Sequence, residues 1–398
     1  MSTKTAIDVP SPPLGRSDGI GRLAGLLGAS CLTAMAATAI TPSLPAIALA
    51  FGEVPSAEFL SQVALTLPAL VIALAAAPVG ALVDRLGARK VLIGSALLFA
   101  FAGSVGLYAS SLAVLLVSRA ILGLAIAGLS TGTLALIGAL YAGDRRHHVV
   151  GLQGAASSFG GMIFLLLGGL LAAISWRLPF ATYLLSLLLL PLFLIFLPKG
   201  QVGREADSGG AVSSGIVWSQ VVLAYASAFV GMILFYVIPV QLPFHLAAHG
   251  VADPALAGYA LSLCTFAGGI AAAFYSRIRR LMRSTSILAL AFSLIALGQF
   301  LAAGGDYPLV LVGMALAGCS TGLLLPTANG LVLASTPASK RGRFAGGVAT
   351  ALFLGQFVAP LSAGLASLLA GTALFGTAIG AAFVALCLLL GRQLFRHG

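Results

Sequence analysis

Arg119 is the one basic residue that interrupts the core of a long apolar stretch, LLVSRAILGLAIAG. A charge at the centre of a membrane helix costs at least about 2.5–3.5 kcal/mol on insertion scales, so it needs a cavity or polar partners. Helical spacing places Arg119, Ile126 and Ser130 on one face. We expect this face to bind a solute from a solvated cavity. A structural brace, in which Arg119 bonds to backbone carbonyls, is the alternative.

Glu58, Asp84 and His245 are the candidates for carrying a proton. Each lies near the end of an apolar segment, and the interior of every apolar segment lacks Asp and Glu. Histidine titrates close to neutral pH, and a carboxylate is stabilised at a helix N-terminus. Both proton coupling and an ordinary solvated helix end therefore fit these three residues.

Clusters typical of an enzyme or a metal centre are missing from the sequence. The four cysteines form no CxxC pair, and the five histidines lie in loops or at the edges of apolar segments. Catalysis inside a membrane requires a constellation such as a His/Glu metal set or a Ser/His pair. We therefore predict no enzymatic activity, no metal and no cofactor.

The elements that must position these residues are membrane helices. The chain is 60% hydrophobic and only 8% charged, whereas soluble domains carry roughly 25% charged residues. Segments of about 18 or more apolar residues can cross a bilayer. The sequence predicts an all-α membrane protein with twelve spans, at 22–50, 59–83, 91–109, 111–141, 149–174, 179–197, 216–245, 255–276, 285–303, 308–335, 344–369 and 372–391.

The basic residues set the orientation of these spans. The net charge is +11, and all Lys and Arg except Arg119 and Arg177 fall on one side of a twelve-span chain. Basic loops stay in the cytoplasm, so we predict that both termini are cytoplasmic and that the protein is integral to a bacterial inner membrane. The charge predicts contacts with membrane lipids and no nucleic-acid partner.

Two similar stretches indicate an internal repeat. Seven of eleven positions are identical between LGLAIAGLSTG at 122–132 and VGMALAGCSTG at 312–322. The polar, Gly/Ser-rich stretch at 198–215 lies near the midpoint and is typical of a flexible linker. We predict two six-helix bundles in a parallel, pseudo-two-fold repeat, divided into a tail (1–21), a bundle (22–197), the linker (198–215), a second bundle (216–391) and a tail (392–398).

The loop between spans 2 and 3, GALVDRLGARK, resembles the signature of the major facilitator superfamily. The residues that match are Gly80, Asp84, Arg85, Gly87, Arg89 and Lys90. The resemblance implies twelve helices around a small-molecule path, and it implies that this loop gates the path by latching the two halves. Arg119 and Gly123 are similar to a second motif of the superfamily. TPSLPAI at the end of span 1 resembles its drug-efflux branch, although the GPxxGG of span 5 and a carboxylate in span 1 are missing.

The same resemblance places spans 1, 4, 7 and 10 around a central cavity. Besides Arg119, Ile126 and Ser130, the expected substrate-binding residues are Met35, Thr38, Tyr225, Phe229, Met232, Tyr236, Ser320, Asn329 and Gln356. The first function hypothesis is efflux of a small amphipathic neutral or anionic compound by alternating access, by a monomer and with protons as a candidate coupling ion. The alternative is an uptake carrier or facilitator for a nutrient such as an organic anion, sugar or siderophore.

Overall fold

The computed structural model describes residues 16–198, 216–304, 306–337 and 340–394. Residues 1–15, 199–215 and 395–398 of the expected tails and linker lie outside these ranges. Twelve helices in the described residues are long and apolar enough to cross a membrane. Spans 1 to 12 are Gly19–Ala50, Ala57–Leu86, Ala88–Leu107, Leu112–Leu140, His148–Ile174, Leu178–Phe196, Trp218–Ala248, Pro254–Leu281, Ser284–Ala303, Tyr307–Ser335, Arg341–Ala370 and Ala373–Leu390.

The sequence prediction of an all-α protein with twelve spans is confirmed. The largest boundary error is at the end of span 8, which was predicted at 276 and lies at Leu281. Span 1 is broken near its end, where the helix Arg16–Thr38 gives way to a short 3₁₀ turn at Thr41–Ser43. Pro42 explains the break, since proline fixes φ and has no N–H to continue the helical ladder.

Span 6 contains an unusually long 3₁₀ helix, Leu178–Leu188, followed by the α-helix Leu189–Phe196. Most 3₁₀ segments stop after three or four residues, and residues three apart eclipse one another in them. Phe180, Tyr183 and Ser186 therefore form one straight, fully buried row. No pattern in the sequence predicts this conformation.

The two six-helix halves repeat the same packing. In the N-terminal half, span 4 packs on spans 2 and 3, span 5 on span 1, and span 6 on span 3. In the C-terminal half, span 10 packs on spans 8 and 9, span 11 on span 7, and span 12 on span 9. The halves meet mainly where span 5 packs on span 8 and span 2 on span 11.

The register of the repeat differs from the sequence prediction. Spans 4 and 10 begin at Leu112 and Tyr307, an offset of 195 rather than 190. At this offset Gly123 matches Gly318, and each packs against the equivalent helix, span 2 or span 8. The two AGxSTG stretches are therefore out of register by five residues, which rotates a helix by about 140°.

The halves are closed at one membrane face and apart at the other. We call the face with the Arg85, Arg145, Arg277 and Lys340 loops the basic face, and the other the opposite face. Spans 5 and 8 meet near the opposite face, where a Cβ on Gly169 would lie 3.0 Å from the Pro254 carbonyl oxygen.

Toward the basic face, spans 5 and 8 separate. A Cβ on Gly151 or Gly154 of span 5 would meet no described atom within 4 Å, and Phe274 of span 8 is 52% exposed. The interface between the halves thus opens toward the basic face.

Candidate functional site

A central cavity of about 260 Å³ lies where spans 1, 2, 4, 5, 7 and 11 meet. Span 2 forms its largest apolar wall, with Leu65, Pro68, Ala69 and Ile72. The other lining residues are Thr33, Ala34, Ala36, Ile126, Ser130, Ser157, Tyr236, Phe353 and Gln356, none of which is charged.

The polar groups of the cavity differ in their freedom to bind a solute. Thr33 and Ser157 both donate hydrogen bonds to the Ser30 carbonyl, at 2.8 and 3.3 Å, and Ser130 donates to Ala127 at 3.1 Å. These hydroxyls keep their acceptor lone pairs. Tyr236 and Gln356 make no hydrogen bond with the rest of the described chain, so both can donate to and accept from a bound compound.

Four of the residues predicted to bind substrate lie together in this cavity: Ile126, Ser130, Tyr236 and Gln356. They come from spans 4, 7 and 11, that is, from both halves of the molecule. A compound that touched all four would bridge the two halves, as a transported substrate must.

The other predicted substrate residues lie outside the lining of the cavity. Met35 and Ser320 are fully buried, and Met232 packs under Gly355. Thr38 and Asn329 donate hydrogen bonds to carbonyls of their own helices. The prediction for Ser320 is wrong because it relied on the shifted repeat register.

Tyr225 and Phe229 hold span 7 against span 11 rather than facing the cavity. The Tyr225 hydroxyl donates to the Phe344 carbonyl at 2.9 Å, and a Cβ on Gly355 would crowd the Phe229 carbonyl. Of the four residues of span 7 that were predicted to bind substrate, only Tyr236 lines the cavity.

The expectation that Arg119 lines a solvated cavity is wrong. Its side chain is fully buried inside the N-terminal half. The guanidinium donates to the Tyr183 hydroxyl at 3.0 Å and to the carbonyls of Ala102 and Gly103 at 3.2 and 2.9 Å. It also lies 5.2 Å from the centroid of the Phe180 ring. Carbonyls and aromatic faces thus replace water around this charge.

Sequence reasoning missed the contributions of spans 2 and 5 to the cavity and the lining face of span 1. On span 1 the predicted lining face was that of Met35 and Thr38, whereas Thr33, Ala34 and Ala36 line the cavity. The polar side chain of Thr33 was an available signal. The span 2 wall is wholly apolar and carried none.

A larger space, which we call the span 9–12 groove, lies away from the interface of the halves. It has a volume of about 540 Å³ and is lined almost entirely by apolar residues, among them Phe300, Ala378, Ile379 and Ala382. Phe300 and Ile379 are more than half exposed, so the groove faces the surrounding bilayer. It is not positioned to carry a solute between the two faces.

Residues 26–360 match the sequence profile of the Major Facilitator Superfamily. The chain belongs to this superfamily. No curated protein sequence gives a significant match. The superfamily consists of membrane transporters, so the central cavity is the natural place to seek the solute path.

Solved structures of other superfamily transporters share the fold. A D-xylose-proton symporter has a TM-score of 0.73 at 16% identity, covering 94% of this chain and 97% of that one. A bacterial homologue of the human lysosomal transporter Spinster, inward-facing and unoccupied, has a TM-score of 0.71 at 15% identity, covering 89% and 84%. A POT family transporter bound to a thioalcohol-conjugated peptide has a TM-score of 0.70 at 13% identity, covering 95% and 96%.

The superfamily signature forms the sharp turn between spans 2 and 3. Gly87 adopts φ 87° and ψ 143°, a conformation that favours glycine. Arg89 donates to the carbonyls of Phe193 and Leu194 at 3.2 and 2.6 Å. This arginine thereby satisfies the last carbonyls of span 6, within the same half of the molecule.

The remaining signature residues lie at the basic face. Asp84, Arg85 and Lys90 are exposed there, and a Cβ on Gly80 would meet no described atom within 4 Å. A gating role for these residues remains a prediction.

The three candidates for proton coupling all lie at span ends, outside the lining of the cavity. Glu58 is exposed in the first turn of span 2 and accepts a 3.4 Å hydrogen bond from Gln62. His245 stacks on His249 with ring centroids 4.2 Å apart near the opposite face. Proton transfer through Glu58, Asp84 or His245 remains a prediction.

Proposed function

We propose that this chain moves a small amphipathic compound, neutral or anionic, through the central cavity by alternating access. The uncharged lining of the cavity, shared by both halves, carries the proposal. Apolar walls from span 2 suit the hydrophobic part of such a compound, and Tyr236 and Gln356 suit its polar part. We favour efflux, as expected from TPSLPAI in span 1.

Efflux is consistent with the orientation that we propose. Basic loops mark the cytoplasmic side of inner-membrane proteins, so the basic face would be cytoplasmic and the cavity would open inward. An exporter must collect its substrate from that side. We propose that proton coupling uses a helix-end group such as Glu58, Asp84 or His245.

A thermal-shift screen of the purified protein tests this function. The library contains neutral drugs, organic anions and lipophilic cations of similar size. A compound present at 100 times its dissociation constant should stabilise the protein by about 2.7 kcal/mol. We expect neutral compounds and anions to raise the melting temperature.

Near-isosteric variants then locate the bound compound. Tyr236→Phe and Gln356→Leu each remove hydrogen-bonding groups worth about 0.5–1.5 kcal/mol, so affinity should fall roughly 2- to 13-fold. Ser320→Ala is the matched control, because its hydroxyl is buried and bonds only to Ala317. A compound that binds both cavity variants as tightly as the wild type would show that the site lies elsewhere.

Uptake or facilitated diffusion of a hydroxylated nutrient is the second candidate. It is favoured by the hydroxyl and amide groups of Thr33, Ser130, Ser157, Tyr236 and Gln356 in one uncharged cavity. Transport in oriented vesicles distinguishes the two functions. An exporter accumulates solute from the basic face against its gradient, whereas a facilitator equilibrates it in both directions.

A further inference from the structure

Arg119 lies one layer behind the wall of the central cavity. It donates to the Tyr183 hydroxyl, which donates to the Ala36 carbonyl at 3.2 Å, and Ala36 lines the cavity. Along span 4, Ile126 of the cavity lies seven residues from Arg119, or about 10 Å. The guanidinium thus lies near the cavity without touching its contents.

The positive charge of Arg119 has only neutral partners. They are the Ala102 and Gly103 carbonyls, the Tyr183 hydroxyl and the rings of Phe180 and Tyr183, and Nε has no partner in the described part of the chain. Carbonyl dipoles stabilise a cation but leave its charge in place. The field of this charge therefore reaches the cavity.

The C-terminal half has no corresponding charge. At the repeat offset of 195, the residue that matches Arg119 is Met314, which is also fully buried. The position therefore tolerates an apolar side chain of similar length in this fold. Packing alone does not call for an arginine there.

We propose that Arg119 sets the charge specificity of the transport path by holding the cavity at positive potential. This inference rests on the proposed function of the cavity as the solute path. A unit charge about 10 Å away, at an effective dielectric constant of about 20, changes the local concentration of a monovalent ion on the order of tenfold. Cations are depleted in the cavity, anions are enriched, and neutral solutes are unaffected.

Charged thiol reagents measure this potential without a known substrate. The protein used in this experiment has a single cysteine, introduced by Ile126→Cys or Ser130→Cys. Its four native cysteines, Cys31, Cys264, Cys319 and Cys387, are replaced by alanine. Rates of reaction are measured with cationic, anionic and neutral methanethiosulfonates in 0.5 M salt, which screens exposed charges. Each charged rate is divided by the neutral rate and by the same ratio for a free thiol, which corrects for access and thiol reactivity.

Two substitutions of Arg119 separate its charge from its hydrogen bonds. Arg119→Met copies Met314 and removes both, whereas Arg119→Lys loses the fork geometry and keeps the charge when the pH is low enough to protonate the buried amine. At Ile126→Cys the anion-to-cation ratio should fall on the order of a hundredfold in Arg119→Met. It should remain high in Arg119→Lys at a pH that keeps the buried amine protonated. At Ser130→Cys, about 16 Å from Arg119 along the helix, the fall should be smaller.

Several results would overturn the proposal. An unchanged ratio in Arg119→Met, or a loss in Arg119→Lys that lowering the pH does not reverse, would show that charge at this position does not set the potential. If Arg119→Met fails to fold, the proposal is tested in the cysteine variant that keeps Arg119. Its normalised ratio at Ile126→Cys must then exceed that of the free thiol, and a ratio equal to that of the free thiol contradicts the inference. Because these rates require no substrate, they stand whether or not the proposed function is correct.

Discussion

Span 6 of the N-terminal half buries Phe180 and Tyr183 around Arg119, whereas the equivalent positions of span 12 are Phe375 and Ala378. Phe180 and Tyr183 are fully buried, but Phe375 is 37% exposed. Where Tyr183 fills the space beside span 3, Ala378 leaves the span 9–12 groove open. One helix arrangement is thus held by a charge and aromatic rings in one half, and by small side chains and lipid in the other.

This difference shows what a buried arginine demands of its surroundings. Two carbonyls of span 3, a phenol and two ring faces converge on Arg119. The close approach of span 6 depends on glycines of span 3, since a Cβ on Gly103 or Gly106 would collide with the Tyr183 or Phe180 ring. Met314 carries no charge and needs no such shell.

The largest expected effect is on stability, from truncating the matched phenylalanines. Phe180→Ala leaves a cavity and uncovers Arg119, so the free energy of unfolding should fall by about 3–5 kcal/mol. Phe375→Ala, at a position where lipid can fill the space, should cost under about 1 kcal/mol. Denaturation in mixed SDS and detergent micelles measures both. Equal losses would remove the contrast between the halves.

A second matched pair lies where the halves meet. A Cβ on Gly169 would lie 3.1 Å from the Ala255 Cα, whereas one on Gly364, its counterpart at the same offset, would meet no described atom within 4 Å. Gly169→Leu should destabilise the closed opposite face by about 1–3 kcal/mol through overpacking.

The accessibility of Ser130→Cys from each side of a vesicle tests this second pair. Labelling by an impermeant maleimide from the opposite face should rise in Gly169→Leu and remain at the wild-type level in Gly364→Leu. Similar labelling in the two variants would mean that the closed face does not depend on the approach of spans 5 and 8.

The smallest expected effect comes from filling the span 9–12 groove. Ala382 is exposed and lines this groove, so Ala382→Phe should change the free energy of unfolding by no more than about 0.5 kcal/mol. Cys387→Phe places the same phenyl ring outside the lining and serves as the control. A loss well above that of the control would mean that the groove holds something that the C-terminal half needs.

Much of the fold was predictable because bilayer crossing is a property of local composition. Runs of apolar residues fix the number of spans, and Pro42 marks the break in span 1. The 3₁₀ helix of span 6 was not predictable, since its eclipsed row is stabilised by the glycines of span 3 about 75 residues earlier in the chain. The repeat register failed because AGxSTG is built from small residues that recur throughout a Gly-rich chain.

The site was only partly predictable for a related reason. Helical periodicity places Ile126 and Ser130 on one face of span 4, and the structure puts both in the cavity. The high cost of placing a charge inside the membrane correctly predicted that Arg119 has polar partners. Sequence alone could not distinguish a watery cavity from Tyr183 and two carbonyls, because those partners meet Arg119 only after spans 3 and 6 have packed.

The 3₁₀ helix of span 6 also bears on the thickness of the surrounding bilayer. A 3₁₀ helix rises about 2.0 Å per residue, so Leu178–Phe196 extends about 34 Å, whereas the eighteen apolar residues of span 12 extend about 27 Å. A hydrocarbon core of about 30 Å is slightly short for the first and slightly long for the second. Span 6 therefore matches a slightly thicker membrane than span 12 does, and tilting of the first helix or local thinning of the bilayer beside the second accommodates the difference.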